Sequence, residues 1–170
     1  MKVYIVDRSS AHRIVESLEG VILDACKLVW VDVRDPSREE RKFLRDRFGL
    51  HPLMTEFDLE AESVPRAQEF DGHILVVWSF LRDIPSTEKI ESTSLYMILG
   101  EGFLITAHLE DLPEIDGLFK KLGTEGAPRH DHPAFFLYAI MNAAVEQWFP
   151  LVEELKDNID SFLDEMLAYR

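Results

Sequence analysis

The chain of 170 residues has almost no cysteine. Cys26 is the only one, so no disulfide can form within the chain and no Cys-x-x-Cys pair exists for zinc or redox chemistry. The sequence also lacks a glycine-rich phosphate loop. Ser9, Ser10 and His12 do not have the context of a hydrolase nucleophile and its base. These absences predict a reducing compartment and a protein that is not an enzyme.

Long apolar runs are missing as well. The longest candidate, Ala134 to Met141, reaches about half of the roughly 18 residues that a membrane helix requires. The apolar run near Met1 is too short for a signal peptide. With 46% hydrophobic and 11% aromatic residues, the chain has enough apolar material for a core and is not a disordered segment. The sequence therefore predicts a folded, soluble chain.

Positive charge is scarce. The chain has 18 Lys and Arg against 32 Asp and Glu, a formal net charge of −14. Such a surface repels phosphate backbones, and the densest basic stretch, Arg38 to Arg47, is interrupted by carboxylates. Nucleic acid is therefore not an expected partner. An acidic surface concentrates counter-ions and favours cations instead.

The first third of the chain predicts two strands and a helix. Val3–Val6 and Lys27–Val33 are rich in β-branched and aromatic residues, which favours strands. His12–Leu18 is compatible with either a strand or a helix. Asp35 can cap the following helix with Pro36 in its first turn, and Gly49 can close it in a left-handed conformation. The apolar stripe of this helix is Phe43, Leu44 and Phe48.

The middle of the chain, from Arg66 to His108, predicts antiparallel strands. Apolar runs separated by turn signals are typical of a meander. The runs are Ile74–Leu81, Ile90–Leu99 and Phe103–Ala107, and the turn signals are Asp71-Gly72, Ile84–Thr87 and Gly100–Gly102.

The rest of the chain reads as helical. Leu112–Leu122 predicts an amphipathic helix that ends at Gly123. From Pro133 the pattern is apolar nearly all round as far as Phe149, which predicts a buried helix. Pro150 is expected to kink or split that helix because it lacks a backbone donor.

Two stripes follow Pro150. An apolar seam with heptad spacing, which requires a partner helix, consists of Val152, Leu155, Ile159, Phe162 and Met166. A carboxylate stripe with the same spacing consists of Glu153, Asp157, Asp160 and Asp164. The stripe is either a diffuse attractor for cations or a solvated helix face. No capping residue ends the pattern, so we expect the protein to continue beyond Arg170.

Several motifs occur in a fixed order along the chain. They are Trp30-Val31-Asp32 with Pro36, Phe48-Gly49-Leu50-His51-Pro52-Leu53, Val64-Pro65-Arg66, Glu91-Ser92 with Leu95–Leu99, Phe103–Thr106, Phe136–Ile140 and Trp148–Leu155. In this order and at these intervals, from about Trp30 to Leu167, they resemble the CorA magnesium-transporter family.

The resemblance implies a fold and an assembly. The fold would be α/β, an αβα sandwich whose mixed, largely antiparallel sheet is flanked by helices. Residues 1–132 would form a cytoplasmic sensing domain, and residues 133–170 would form a long acidic helical arm that leads to a stalk. The full protein would be a homopentamer with two membrane helices that this chain lacks, at the cytoplasmic face of the inner membrane. It would carry Mg²⁺, or alternatively Co²⁺ or Ni²⁺, and would sense the cation to gate the pore.

The resemblance also implies where the cation is sensed. The family places a Glu-Asp pair after its His-Pro-Leu motif. Here Glu56 is retained, Phe57 stands at the Asp position, and the next carboxylate is Asp58. Glu56 and Asp58 are therefore the implied regulatory ligands, since Mg²⁺ prefers oxygen. The alternative is a solvated acidic loop. A second carboxylate of the family corresponds to Asn142, a neutral and weaker ligand.

Other interpretations stay open. His51 is expected to be structural beside Pro52. His130-Asp131-His132 has short ligand spacing, but a structural zinc site needs three or four ligands, and Asp131 can instead cap the helix that begins at Pro133. A ZntB-like zinc transporter would explain the altered sensor residues. An acidic scaffold protein without a membrane portion, with the seam after Pro150 as its binding face, is a third hypothesis.

Overall fold

A sheet with helices on both faces forms the body of the chain. The computed structural model describes residues 1–61, 63–81, 92–124 and 130–168. The strands are β1 (Lys2–Asp7), β2 (His12–Val15), β3 (Cys26–Arg34), β4 (Arg66–Phe70), β5 (His73–Leu81), β6 (Ser92–Gly100) and β7 (Phe103–His108). The helices are α1 (Arg38–Phe48), α2 (Pro113–Leu122), α3 (Pro133–Glu146) and α4 (Trp148–Ala168), with short 3₁₀ helices at Leu23–Ala25 and Pro52–Thr55.

The strands pair in the order β2-β1-β3-β7-β6-β5-β4. Among the described strands, β3 and β7 are the parallel neighbours, with Asp32 opposite Thr106 and Arg34 opposite His108. The other pairs are antiparallel. The predicted mixed, largely antiparallel sheet is therefore confirmed. The ambiguous segment after His12 is the edge strand β2.

Alternation along the strands builds two apolar cores, one on each face of the sheet. On one face, Val29, Val31 and Ile105 pack with Leu44 and Phe48 of α1. The opposite core is built by Leu28, Trp30 and Leu104 with Ile115 and Phe119 of α2 and Phe136 and Ile140 of α3. Each large side chain that is fully buried in this way contributes about 1.5–3 kcal/mol of stability. Helix, sheet and helix form three layers, as the αβα prediction requires.

The start of α1 differs from the prediction. Its N-cap is Ser37, whose side chain accepts from the backbone N–H of Glu40 while the Glu40 carboxylate accepts from the Ser37 N–H. This capping box satisfies two donors at the helix start. Asp35, the predicted cap, instead has a φ of 44° and its own N–H donates to the backbone oxygen of His108. Gly49 ends the helix in the left-handed conformation, at a φ of 63°, as predicted.

The structure corrects one prediction about the buried face of α1 and confirms one predicted turn. Phe43 was expected on the buried stripe of α1 but is 41% exposed, because Leu44 and Phe48 face the sheet. The Asp71-Gly72 turn between β4 and β5 is confirmed, with φ of 38° and 85°. The predicted break at Ile84–Thr87 and residues 125–129, between α2 and α3, lie outside the described residues.

The C-terminal helical segment divides at Gln147, between α3 and α4. Pro150 has no N–H to offer the carbonyl of Glu146, so the predicted split occurs three residues before the proline. The predicted burial of α3 on all sides is wrong. Phe136 and Ile140 are buried against the sheet, whereas Tyr138 on the outer face is 65% exposed. The division of the chain into two units at residue 132 stays a prediction. The first helix of the second unit, α3, packs on the sheet of the first unit.

The helix α4 has few neighbours in the described structure. Its residues from Val152 to Asp164 are all exposed. By length and composition alone, Pro133–Asp164 contains a stretch apolar enough to cross a membrane, at a mean hydropathy of 1.2, and 17% of that stretch is buried. The predicted absence of an uninterrupted run of roughly 18 apolar residues concerns a different property, since Asn142, Glu146 and Gln147 interrupt this stretch and only its average is apolar.

Candidate functional site: the His-Pro-Leu turn, the acidic helix and a buried Asp–His pair

The His-Pro-Leu motif forms a rigid turn after α1. Nδ1 of His51 accepts from the N–H of Leu53 at 3.3 Å, which caps the 3₁₀ helix, and Pro52 occupies its first position. The His51 ring also stacks on Phe70, with 5.2 Å between ring centroids. Met54 anchors the turn in the core. His51 is therefore structural, as predicted.

Phe57, which stands at the position of the family's Asp, is a core residue. It is 6% exposed and packs against Tyr96, with ring centroids 5.0 Å apart. The guanidinium of Arg41 lies 5.4 Å from the Phe57 ring. The flanking carboxylates Glu56 and Asp58 are both exposed. The substitution to Phe thus fastens the loop to the sheet and leaves its two acidic neighbours facing solvent.

Glu56 has basic neighbours. It lines a cleft of about 650 Å³ beside α1 together with Arg38, Arg41, Lys42 and Arg45. Lys42 pairs with Asp46 at 2.7 Å, and Arg41 donates to the backbone oxygens of Pro36 and Phe57. Glu39 lines the same cleft, so Glu56 lies on a surface of mixed charge.

Asp58 stabilises its own loop. Its Oδ1 accepts from the N–H of Ala61 at 3.2 Å, and its backbone oxygen accepts from the hydroxyl of Tyr96 at 3.1 Å. In the described ranges, no group of three or more His, Cys, Asp or Glu side chains is placed to hold a metal ion. Within this chain, Glu56 and Asp58 could therefore supply single carboxylates and not a closed coordination sphere.

The carboxylate stripe lies along α4. Glu153, Asp157, Asp160 and Asp164 are all exposed. Their spacing places them on one side of the helix, and Lys156 is the one basic residue in the sequence of α4. The apolar seam is equally open, with exposed fractions of 60% for Leu155 and 51% for Ile159. Asn142, the counterpart of the family's second carboxylate, lies on α3 and donates to Glu146 at 2.7 Å.

The side chains of His130, Asp131 and His132 do not converge. The His130 ring stacks on Phe135, and Asp131 forms an ion pair with Lys27. The hydrogen bond from Lys27 and its charge lower the pKa of Asp131. The N-cap of α3 is His132, whose Nδ1 accepts from the N–H of Ala134 at 3.2 Å, so the predicted cap at Asp131 is wrong.

A buried polar network at the ends of β3 and β7 was not predicted. Oδ1 of Asp32 accepts from the hydroxyl of Thr106 at 2.5 Å and lies 3.1 Å from Nε2 of His108. Nδ1 of His108 lies 2.6 Å from the backbone oxygen of Glu110, and Nε1 of Trp30 donates to Thr106 at 3.2 Å. The side chains of His108 and Asp32 are 5% and 7% exposed.

The protonation of His108 follows from this geometry. Both of its ring nitrogens face oxygen acceptors, and only the imidazolium can donate from both. Burial opposes that charged form, but the hydrogen bond and the negative charge of Asp32 outweigh burial and raise the pKa of His108 above its ordinary 6.5. When His108 is protonated, a buried ion pair thus joins two parallel strands.

These elements define the class of protein: a three-layer α/β/α domain that carries an exposed acidic helix. The chain belongs to the family described as CorA-like Mg²⁺ transporter protein, which matches residues 26–170. The match includes every motif from Trp30 onward on which the resemblance was based.

Individual relatives agree with this assignment. YfjQ of Bacillus subtilis is 30% identical over 131 residues, which is 77% of this chain and 40% of YfjQ. The cobalt/magnesium transport protein CorA of Methanocaldococcus jannaschii is 27% identical over 155 residues, which is 89% of this chain and 47% of that protein. The chain thus spans less than half the length of these curated relatives.

Solved structures share the fold. The soluble domain of the M. jannaschii CorA superposes with a TM-score of 0.72 at 21% identity, over 98% of this chain and 64% of that one. The cytoplasmic domain of ZntB from Vibrio parahaemolyticus superposes with a TM-score of 0.63 at 15% identity, over 97% of this chain and 64% of that one. Both superpositions extend through nearly the whole chain, so they include the segment after Pro133.

Proposed function

We propose that the chain is the cytoplasmic domain of a CorA-like divalent-cation transporter, and that it senses the intracellular cation to gate the pore. The family match over residues 26–170 is the observation that supports this proposal most strongly. A family of transporters also supports the expectation that the chain is not an enzyme. The transported ion is proposed to be Mg²⁺ or Co²⁺, as in the name of the M. jannaschii relative.

The exposed helix α4 supports an assembly role. An apolar seam with heptad spacing is stable in water only when another helix covers it, and Val152, Leu155 and Ile159 are each at least half exposed in the chain alone. We propose that this seam packs against further helices in a homopentamer, at the cytoplasmic face of the inner membrane, with the membrane helices following in the longer protein.

The sensing carboxylates are proposed to be Glu56, Asp58 and the stripe on α4. Mg²⁺ retains several waters and is commonly bound through one or two carboxylates. Two carboxylates from different subunits repel each other unless a cation lies between them, so cation occupancy would be coupled to the arrangement of the subunits.

Uptake of ions by the longer protein that contains this chain tests the transport proposal. The protein is reconstituted into liposomes that hold a magnesium-sensitive dye, and external Mg²⁺, Co²⁺ or Zn²⁺ is added. The proposal predicts uptake of Mg²⁺ or Co²⁺ above the level of empty liposomes. Uptake of none of the three ions would overturn it.

The same assay addresses zinc, which the structural likeness to a ZntB cytoplasmic domain keeps as a second candidate. Zinc uptake without magnesium or cobalt uptake would favour the ZntB-like function. His130→Gln and His132→Gln are the matched variants, and because these side chains have separate partners in the structure we expect no effect of either on uptake.

A further inference from the structure

The first turn of α2 lies between two side-chain contacts. Before it, Nδ1 of His108 lies 2.6 Å from the backbone oxygen of Glu110, in the short connection that leads into the helix. Within it, the carboxylate of Glu114 accepts from Nε2 of Gln147 at 2.6 Å. Gln147 is the residue at which α3 ends, directly before α4 begins. One helical turn therefore separates the contact of the buried histidine from the contact that holds the joint between α3 and α4.

The joint at Gln147 is held by one side chain that bridges two elements. Its Oε1 accepts from the N–H of Leu81, at the end of β5, at 3.1 Å, while its Nε2 donates to Glu114 of α2. Beyond the joint, the residues of α4 from Val152 to Asp164 are all exposed. The direction in which α4 leaves the α/β/α body therefore depends on how firmly this bridge is held.

Glu114 makes the bridge sensitive to small movements of α2. Its Oε1 accepts from Gln147, but in the part of the chain that the structure describes no donor reaches its Oε2, although that atom is buried. A buried carboxylate oxygen without a donor lowers stability. The Glu114 side chain thus has no second hydrogen bond to keep it in place, and a displacement of the first turn of α2 acts directly on Gln147.

The contact between His108 and Glu110 changes with protonation. The neutral ring carries a single N–H, whereas both of its nitrogens face oxygen acceptors. A carboxylate is a stronger acceptor than a backbone carbonyl, so the neutral ring keeps its proton on the side of Asp32. A nitrogen lone pair then faces the backbone oxygen of Glu110 and repels it. Loss of one proton from His108 therefore loosens the entry to α2.

Other charged groups surround His108, but Asp32 is its main partner. Burial disfavours the charged ring, whereas the hydrogen bond and charge of Asp32, the hydrogen bond to Glu110 and the charge of Asp116 together raise the pKa of His108. The nearby cations are already paired, Lys2 with Asp116 and Arg34 with Asp111. The titratable and charged groups of the surrounding elements are Lys2 of β1, Glu16 after β2, Asp32, Arg34 and Asp35 at the end of β3, Glu110 and Asp111 of the connection, and Asp116 of α2.

We propose that the first turn of α2 couples the protonation of His108 to the joint at Gln147, so that α4 is held to the α/β/α body more firmly when the ring is protonated. The attachment of α4 then responds to pH. This coupling goes beyond cation sensing, and it depends neither on the proposed carboxylates nor on which ion is transported.

The first test measures the pKa of His108 in the folded 170-residue chain from its ring signals in NMR spectra. Coupling between two sites is reciprocal, so weakening the joint must weaken proton binding by His108 by the factor with which protonation strengthens the joint. Gln147→Ala removes the bridge without changing any charge. We expect proton binding by His108 to weaken about fivefold or more, the lower end of typical couplings. Asn142→Ala, an exposed neutral side chain on α3, should leave it unchanged.

The second test measures hydrogen exchange at the N–H of Leu81, which donates to Gln147. The exchange rate, divided by that of an unstructured amide at the same pH, reports how often this contact opens. We expect protection of Leu81 to fall about fivefold or more as pH rises through the folded pKa of His108. In His108→Gln, which cannot gain or lose a proton, protection should not depend on pH in this window.

Three results would overturn the proposal. An equal pKa of His108 in Gln147→Ala and in the unmodified chain would show that the two contacts are independent, even if Gln147 stabilises the fold. Protection of Leu81 that does not change with pH in the unmodified chain would show that protonation does not reach the joint. A fall in protection that persists in His108→Gln would assign the pH dependence to another group.

Discussion

Nε2 of His108 lies 3.1 Å from Oδ1 of Asp32, across the two strands of the sheet that run in parallel. The opposite ring nitrogen contacts the backbone oxygen of Glu110 at the start of the connection to α2. The ring of His108 therefore links β3, β7 and the segment that leads into α2. Since the protonated ring satisfies both acceptors, the stability of this region depends on pH.

The first prediction concerns that pH dependence. The folded-state pKa of His108 is raised above the value of about 6.5 that is usual in unfolded chains. The stabilisation is therefore fully present below the unfolded pKa and is lost as pH rises through the folded pKa. We expect the free energy of unfolding, measured with urea, to decrease with rising pH in this window. His108→Gln should remove that decrease, and His12→Gln should retain it. An equal slope in all three proteins would contradict the assignment.

The second prediction concerns the junction of α3 and α4. Oε1 of Gln147 accepts from the N–H of Leu81, and its Nε2 donates to Glu114 at 2.6 Å. Gln147→Ala leaves the Leu81 N–H without this acceptor, so we expect a loss of about 1–3 kcal/mol. Hydrogen exchange at Leu81 should become faster.

The matched control for Gln147 is Asn142→Ala, an exposed side chain on the same helical segment. It should change the free energy of unfolding by less than about 0.5 kcal/mol. Exchange at Leu81 that is the same in Gln147→Ala and in the unmodified chain would show that Gln147 does not fasten the junction.

The third prediction concerns the apolar seam of α4. Leu155→Gln with Ile159→Gln removes two side chains that are 60% and 51% exposed. The free energy of unfolding of the α/β/α body should change by less than about 0.5 kcal/mol. Sedimentation should show weaker self-association of the chain. By contrast, Ile140→Ala, a fully buried position on α3, should cost about 2–5 kcal/mol. Large destabilisation by the α4 variant would mean that the seam is already covered.

Local signals predicted most of the elements. The strand at Lys27–Val33 was visible from its β-branched residues, and the helix end at Gly49 was visible from a glycine that adopts a positive φ. The start of α1 was misplaced although Ser37 and Glu40 have capping-box spacing, because Asp35 and Pro36 offered a second start signal two residues earlier. Local patterns of this kind compete, and tertiary contacts decide between them.

The buried pair could not be predicted from local patterns. Asp32 and His108 are 76 residues apart, and they meet because β3 and β7 pair in parallel with a particular register. The one sequence signal was the presence of Asp32, Thr106 and His108 within otherwise apolar strands. The cleft that Glu56 shares with side chains of α1 was also hidden, because it forms only when the turn at Pro52 brings the two segments together.

The central claim, that this domain senses the cation through named carboxylates, is tested most directly by limited proteolysis of the full-length protein with and without millimolar Mg²⁺. The decisive variant replaces all six candidates, Glu56, Asp58, Glu153, Asp157, Asp160 and Asp164, by their amides. Glu19→Gln with Glu101→Gln is the control at exposed carboxylates elsewhere.

The account predicts that Mg²⁺ slows cleavage of the native protein and of the control, and that the six-residue variant loses this protection. Variants that replace only Glu56 and Asp58, or only the four carboxylates of α4, then show which group is responsible for the protection by Mg²⁺. Cleavage of the native protein at the same rate with and without Mg²⁺, or full protection of the six-residue variant, would contradict the account.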